Sequence, residues 1–239
     1  MKQTIDVFST AIAFQEEEVQ GRTVVVIDVL RACSTIVTAL ENGAKSIIPI
    51  EDMGTGGQIA MNLDPTSYLM CGERDGVKIE GYQLGNSPLE YPSDVVKGKT
   101  LILNTTNGTR AIAKCSQAKS VIIGCFLNLK AVVKELKSSN NDFILICAGW
   151  KNRISLEDML CAGAIIDGVT NGKLGLQSTD GAKVAFGLFE KYGHDIPEVV
   201  ETSNHSMRLQ KLNDGADIAY CTQINKINRT PVFTDGIIT

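Results

Sequence analysis

The sequence has few of the residues from which histidine-based and zinc-based catalytic centres are built. Only two histidines occur in 239 residues, His194 and His205, and both lie in the last fifth of the chain. Their polar neighbours predict surface positions, although the segment around His205 is able to reach a site. The seven cysteines are scattered, odd in number and without a CxxC pair. We therefore expect reduced, mostly buried thiols, and neither a disulfide framework nor a zinc site.

Basic stripes and long apolar runs are missing as well, which excludes further classes of protein. The formal net charge is −4, so nucleic acid is not expected as a partner. No apolar run approaches the length that crosses a bilayer, and the first ten residues lack the apolar region of a signal peptide. We expect a cytoplasmic protein without membrane contact. The nucleotide-binding loops GxxxxGKS/T and GxGxxG do not occur, so nucleotide binding through them is not supported.

What the chain does contain is a regular alternation of β-branched runs and helix-like segments. Strands are predicted at residues 4–8, 22–27, 46–50, 68–71, 101–103, 120–124 and 141–147. Helices are predicted at 32–42, 54–62, from 111 onward, and at 128–137, 155–169 and 180–191. The tail predicts two short helices, around 199–201 and 207–212, and a strand near 218–220. This order indicates an α/β protein, with a three-layer α/β/α arrangement and a mixed, largely parallel sheet, as a single domain over 1–239.

The segment TLILNTTNGTRAIA, residues 100–113, changes from a buried strand to polar residues and then to a helix. Backbone N–H groups, hydroxyls and the guanidinium of Arg110 would converge there on one oxyanion group. The alternative is an ordinary strand-to-helix turn, with Thr106 or Asn107 as N-cap and Arg110 on the surface. The loops after the other strands favour the anion site.

Charged side chains follow three further strands. Asp28 and Arg31 follow the second predicted strand, Glu73 and Arg74 follow the strand at 68–71, and residues 151–158 follow the strand at 141–147. Ligands of parallel α/β sheets bind at the carboxyl ends of strands, so these groups are expected in one crevice. About twenty residues of turn chemistry, 72–91, are expected to form an ordered loop or short β-excursion over it.

Asp28 and Glu73 are the strongest candidates for a Mg²⁺ site, because a carboxylate after a buried strand needs a partner. Glu157 and Asp158 are further candidates, although a cap and a surface acid explain them equally well, with Asp158 at a capping-box position. Hard oxygen ligands beside cations suit Mg²⁺ together with a phosphate. The arginines are expected to clamp oxyanions, unless they merely pair with these acids.

Five separated motifs then resemble one family. They are IDVLRA at 27–32, GER at 72–74, GNSP at 85–88, TTNGTR at 105–110 and SLED at 155–158, and in this order they resemble the 2-phosphosulfolactate phosphatases. The resemblance implies a Mg²⁺-dependent hydrolase that converts (R)-2-phospho-3-sulfolactate into 3-sulfolactate and phosphate, a step of coenzyme M biosynthesis in methanogens. It also suggests a homodimer. One departure is Cys33, where a small hydroxyl residue is expected, but Ser34 and Thr35 keep that chemistry.

The resemblance and the residues together give three sets of candidates. The catalytic set is Asp28, Arg31, Glu73 and Arg110. The substrate-binding set is Ser34, Thr35, Arg74, Asn86, Ser87, Thr105, Thr106, Asn107, Gly108 and Thr109. The metal set is Asp28, Glu73, Glu157 and Asp158. The sequence leaves open which carboxylate takes a proton from water and whether a covalent intermediate forms. Two other functions also stay open, hydrolysis of another 2-phosphohydroxy acid and non-catalytic binding of small phosphorylated or sulfonated acids.

Overall fold

The structure, a computed structural model, describes residues 4–139 and 141–239, and its centre is a sheet of ten strands. The strands are β1 (Ile5–Phe8), β2 (Thr23–Ile27), β3 (Ser46–Ile50), β4 (Tyr68–Arg74), β5 (Val77–Lys78), β6 (Thr100–Asn104), β7 (Ser120–Gly124), β8 (Phe143–Cys147), β9 (Val232–Thr234) and β10 (Ile237–Ile238). Their order across the sheet is β1-β8-β2-β7-β9-β10-β3-β6-β4-β5. The strand predicted at 4–8 is β1, at one edge of the sheet.

Two parallel blocks make up most of this sheet, which confirms the predicted mixed, largely parallel arrangement. One block contains β1, β8, β2 and β7, and the other contains β3, β6 and β4. The hairpin of β9 and β10 joins them through three successive antiparallel pairings. Its turn is Asp235-Gly236, both with positive φ, which suits the tight turn of a two-residue hairpin.

Ten helices accompany the strands over the described residues. They are α1 (Ala32–Glu41), α2 (Met53–Ala60), α3 (Ser93–Val96), α4 (Gly108–Lys114), α5 (Leu129–Ser139), α6 (Leu156–Thr170), α7 (Asp180–Tyr192), α8 (Ile196–Glu201), α9 (Asn204–Lys211) and α10 (Gly215–Cys221). One core packs the first block against α5, α6 and α7. A second core combines α1 and α4 with the facing sides of both blocks. The arrangement is consistent with three layers, α/β/α.

The second core explains how the carboxyl ends of β2 and β6 meet. The three antiparallel pairings reverse the strand direction between the blocks, so these ends do not share the edge of a flat sheet. They meet because the sheet wraps around α1 and α4, whose first residues touch. A Cβ added at Gly108 would lie 2.4 Å from the Cβ of Ala32. The expected crevice therefore exists, but between the two blocks.

Other details differ from the sequence prediction. The strand predicted near 218–220 is wrong, because these residues lie in α10, and the two strands of the C-terminal hairpin were not predicted. The predicted strand end at Cys71 is too early, because β4 continues to Arg74, and its pairing with β5 is the short β-excursion that was one of the two expectations for residues 72–91. All seven cysteines are free and buried, which confirms the prediction for the thiols. Within the described ranges, no helix has the length and apolar character that crossing a membrane requires.

Candidate active site

A cavity of about 420 Å³ lies where the loops after β2 and β6 meet. Its walls also include the β4–β5 turn, the loop after β8 and one face of α9. The polar residues that line it are Asp28, Arg31, Glu73, Asp75, Asn86, Thr105, Thr106, Asn107, Trp150, Lys151, His205 and Arg208. Seven of these belong to the candidate sets from the sequence, namely Asp28, Arg31, Glu73, Asn86, Thr105, Thr106 and Asn107.

Asp28 is the most perturbed acid that lines this cavity. Its Oδ1 accepts a hydrogen bond from the Ala32 N–H at 3.2 Å, at the start of α1. The pKa of Asp28 is raised to about 6, mainly by burial and also by the negative charges of Glu73 and Glu157, while the charge of His205 and the hydrogen bond from Ala32 offset part of the effect. Oδ2 packs against Gly108, where an added Cβ would lie only 2.7 Å from it. The Asp28 carboxylate can therefore occupy this position only because residue 108 is a glycine.

Glu73, the second candidate for the metal, ties two walls of the cavity together. Its Oε1 accepts from the Thr106 N–H at 2.8 Å, and Oε2 accepts from the Gly76 N–H at 2.6 Å and the Thr106 hydroxyl at 3.2 Å. These bonds join the β4–β5 turn to the loop after β6. Glu73 lies at the site, but both of its oxygens already accept hydrogen bonds.

The arginines do not form the expected clamp. Arg31 lines the cavity, but its Nη1 lies 2.7 Å from Asp214 Oδ2 and 2.6 Å from Asp217 Oδ2. Arg31 therefore pairs structurally, but its partners are Asp214 and Asp217, not Asp28 or Glu73 as the alternative from the sequence had it. Arg74 is exposed and does not line the cavity. Arg110 is exposed and lines a neighbouring cavity of about 260 Å³.

Among the predicted substrate-binding hydroxyls, several are used inside the protein and do not line the cavity. Ser34 donates to the Val29 carbonyl and Thr35 to the Asn86 carbonyl, both at 2.7 Å. Ser87 donates to Asp217 Oδ1 at 2.5 Å. Thr109 is fully buried and exchanges hydrogen bonds with Thr105. These four side chains hold loops in place.

The groups that can donate hydrogen bonds to an anion in the cavity belong to the loop after β6. Thr105, Thr106 and Asn107 line it, and the N–H groups of Asn107 and Gly108 have no acceptor within the described residues. Free donors at the start of a helix suit a phosphate or carboxylate oxygen. The buried Asn86 also lines the cavity, and its Oδ1, which has no hydrogen-bond partner there either, suits a donor or a cation because it is an acceptor.

Glu157 and Asp158 have separate tasks, neither of which the sequence predicted. Asp158 accepts from the N–H groups of Val29 at 2.9 Å and Gly149 at 3.1 Å, so it joins the loops after β2 and β8 and forms no capping box. Burial and the charge of Asp28 raise its pKa. Glu157 Oε1 lies 3.2 Å from His205 Nδ1. Burial is the largest influence on the pKa of Glu157 and raises it, but the hydrogen bond to His205, the charge of His205 and backbone hydrogen bonding together lower the pKa by more, so it is lowered overall.

The four predicted metal ligands are therefore not one cluster. Across residues 4–139 and 141–239, no group of three or more His, Cys, Asp or Glu side chains is arranged to hold a metal ion. Asp28 and Glu73 line the cavity, whereas Glu157 lies behind His205 and Asp158 binds backbone N–H groups.

Five polar residues of the cavity were not in the candidate sets, namely Asp75, Trp150, Lys151, His205 and Arg208. The strand-end rule had nevertheless placed Lys151 in this crevice. The surface prediction is right for His194, whereas for His205 the alternative is realised that its segment reaches a site, since its ring lines the cavity and stacks on Trp150 with centroids 5.4 Å apart. Arg208 lies one helical turn after His205 on α9, and only the position of that helix in the fold reveals both.

Comparisons with known proteins identify the family of this chain. A family model described as 2-phosphosulpholactate phosphatase matches residues 9–236. A Thermotoga maritima protein named probable 2-phosphosulfolactate phosphatase is 44% identical over 219 residues, 92% of each chain. Proteins of the same name from Caldanaerobacter subterraneus and Clostridium tetani are both 38% identical over 234 residues, 98% of this chain and 97% and 99% of theirs. The chain therefore belongs to the 2-phosphosulfolactate phosphatase family, which consists of phosphoric monoester hydrolases.

Proposed function

We propose that this protein hydrolyses (R)-2-phospho-3-sulfolactate to 3-sulfolactate and phosphate, and that the reaction depends on Mg²⁺. The observation that carries the proposal is the buried Asp28 carboxylate, whose pKa is raised to about 6 in a cavity that also offers unpaired N–H donors. A perturbed acid beside anion-binding groups is typical of a catalytic site. The family membership supplies the reaction class.

The donor set of the cavity fits Mg²⁺ held mainly by the substrate. Mg²⁺ in phosphoryl-transfer sites usually has only one or two protein carboxylates, with waters and phosphate oxygens as its other ligands. Asp28 and Glu73 are the two candidates that would hold it, which explains why a cluster of three ligands is not required. Bound there, Mg²⁺ would polarise the phosphoryl group and neutralise charge on its oxygens.

The protein's own groups can orient the substrate and move protons. The N–H groups of Asn107 and Gly108 are free to bind phosphoryl oxygens as negative charge increases on them. When His205 donates its Nδ1 proton to Glu157, its Nε2 is left to exchange a proton with the reacting groups. The substrate's leaving group is an alkoxide, which needs a proton as the ester bond breaks. We therefore assign His205 to proton transfer in this proposal.

The test is phosphate release from 2-phospho-3-sulfolactate, 2-phospholactate and 2-phosphoglycerate, each with Mg²⁺ and with EDTA. We expect turnover only with Mg²⁺ and fastest with the sulfonate. Asp28→Asn should lower kcat/KM at least about 100-fold. Asp235→Asn, in the exposed turn of the C-terminal hairpin, is the matched control and should keep full activity.

Each alternative from the sequence gives a different result in this assay. Equal turnover of all three esters would identify a phosphatase for 2-phosphohydroxy acids in general. Binding of these acids without turnover would identify a sensor or storage protein. Full activity of Asp28→Asn with unchanged Mg²⁺ dependence would contradict the role of Asp28. The coenzyme M pathway of methanogens, the cytoplasmic location and the homodimer stay predictions from the sequence and the resemblance.

A further inference from the structure

Two cationic side chains that line the cavity, Lys151 and Arg208, have no carboxylate partner in the described part of the chain, whereas a third, Arg31, has two. Arg31 is neutralised by Asp214 and Asp217. Lys151 and Arg208 also line the cavity, and neither forms an ion pair within the described residues. A cationic side chain that faces a cavity unpaired is available to an anionic ligand.

Both side chains are held near the cavity by weak contacts that a ligand can replace. The Lys151 Nζ lies 4.8 Å from the centre of the Trp150 ring. The Arg208 Nη2 donates to the Asp75 carbonyl at 3.4 Å, which is a long hydrogen bond. Most of the donors of the Arg208 guanidinium therefore stay free for a ligand.

The two cations lie on elements other than those that carry the proposed phosphate site. Asp28 and the loop 105–107 follow β2 and β6, whereas Lys151 follows β8 and Arg208 belongs to α9. His205 is on the same face of α9, one turn before Arg208, and its charge acts on Asp28. Arg208 therefore lies further along α9 than His205, and Lys151 directly follows Trp150 in the loop after β8. Lys151 and Arg208 thus line the same cavity as the proposed phosphate site, from elements other than those that carry it.

We propose that Arg208 and Lys151 bind the sulfonate group of the substrate and thereby determine its specificity, an inference that rests on the proposed function. A sulfonate presents three equivalent oxygens, and the planar guanidinium of Arg208 can donate to two of them at once. Lys151, an exposed point charge, adds attraction that salt would weaken. A phosphate ester without the sulfonate would leave the Arg208 and Lys151 donors without an acceptor, so its kcat/KM would be lower than that of the sulfonate ester.

The experiment compares two substrates in three variants. 2-Phospholactate has the same phosphate and carboxylate as 2-phospho-3-sulfolactate but lacks the sulfonate. Arg208→Gln should lower kcat/KM for the sulfonate ester roughly 10- to 100-fold, mainly through KM, and less than about threefold for 2-phospholactate. Lys151→Gln should show the same preference with a smaller loss. Lys211→Gln is the matched control, because Lys211 lies on the same helix, is exposed and does not line the cavity.

The outcomes separate this inference from the proposed function. Equal losses on both substrates would overturn it, since the two cations would then act on the phosphate or carboxylate, while the phosphatase activity would stand. If the wild-type protein hydrolysed none of the esters, the proposed function would fail. Calorimetry with 3-sulfolactate would then test the inference by itself, and equal affinities of wild-type protein and Arg208→Gln would overturn it.

Discussion

Asp28→Asn should make the protein more stable at neutral pH even though it removes the central carboxylate of the site. Burial raises the pKa of Asp28 from its ordinary value of 3.8 to about 6 in the folded state. The folded protein therefore holds this proton more tightly than the unfolded chain does between about pH 4 and pH 6. A neutral Asn has no such charge to bury, and its Oδ1 can still accept from the Ala32 N–H.

The size and the sign of the effect follow from these two pKa values. One pKa unit corresponds to about 1.4 kcal/mol, so the charged Asp28 costs the folded state roughly 3 kcal/mol above pH 6. Because the folded pKa of this acid is raised, the cost is present above pH 6, shrinks as the pH falls through 6, and is gone below about pH 4. We therefore expect Asp28→Asn to exceed wild-type stability by up to about 3 kcal/mol at pH 7 and by little at pH 4.

Urea unfolding at pH 7 and pH 4, with EDTA present, measures this difference. At pH 7 the midpoint of Asp28→Asn should lie roughly 1 M or more above that of the wild-type protein. Mg²⁺ should stabilise the wild-type protein and leave the variant unchanged, because binding to the folded state raises its stability. The exposed Asp235→Asn serves as control. A variant that is no more stable than wild type at pH 7, or a difference that does not change with pH, would refute the reasoning.

Two further predictions concern the contacts around Asp28 and His205. Gly108→Ala should lower the free energy of unfolding by about 1 to 3 kcal/mol and Tm by roughly 2 to 12 °C, since its Cβ would collide with Ala32 and Asp28. The control is Gly57→Ala, which has no atom within 4 Å of the new Cβ and should stabilise α2 by up to about 1 kcal/mol. Unchanged thermal unfolding of Gly108→Ala would contradict the close packing. Glu157→Gln should lower kcat about 10- to 100-fold with little change in KM, and combining it with His205→Gln should add little, because the two residues act as a pair. Losses in kcat that multiply in the double variant would show that they act independently.

The sequence predicts the parallel blocks well because their strands are buried on both faces. A run such as residues 22–27 consists of β-branched residues after Arg22, and β2 occupies nearly all of it. The C-terminal hairpin was not predicted because β9 and β10 have only three and two residues, too few for periodicity to be visible. The segment 218–220 was taken for a strand on its apolar content alone, but Ile218 and Cys221 bury one face of a helix, a spacing of three.

The site was predicted in part because strand ends are visible in a sequence and pairing between distant side chains is not. Asp28, Glu73 and the loop 105–107 were found because each follows a recognisable strand. Arg31 was assigned to substrate since its partners, Asp214 and Asp217, lie more than 180 residues away. The same limitation hid His205, which reaches the cavity only because α9 crosses the ends of the strands.

The acids at and around the cavity serve two purposes, and only their hydrogen bonds show which purpose each acid serves. Asp158 and Asp217 are buried, and both oxygens of each accept hydrogen bonds from the loops or the arginine that surround the cavity. They fix the walls, and a metal or substrate would have to compete with these bonds. Asp28 Oδ1 accepts a hydrogen bond from the Ala32 N–H, and its Oδ2, beside Gly108, accepts none from the described residues. Asp28 therefore lines the cavity with a buried carboxylate that keeps a free oxygen, which is what binding a cation or moving a proton requires.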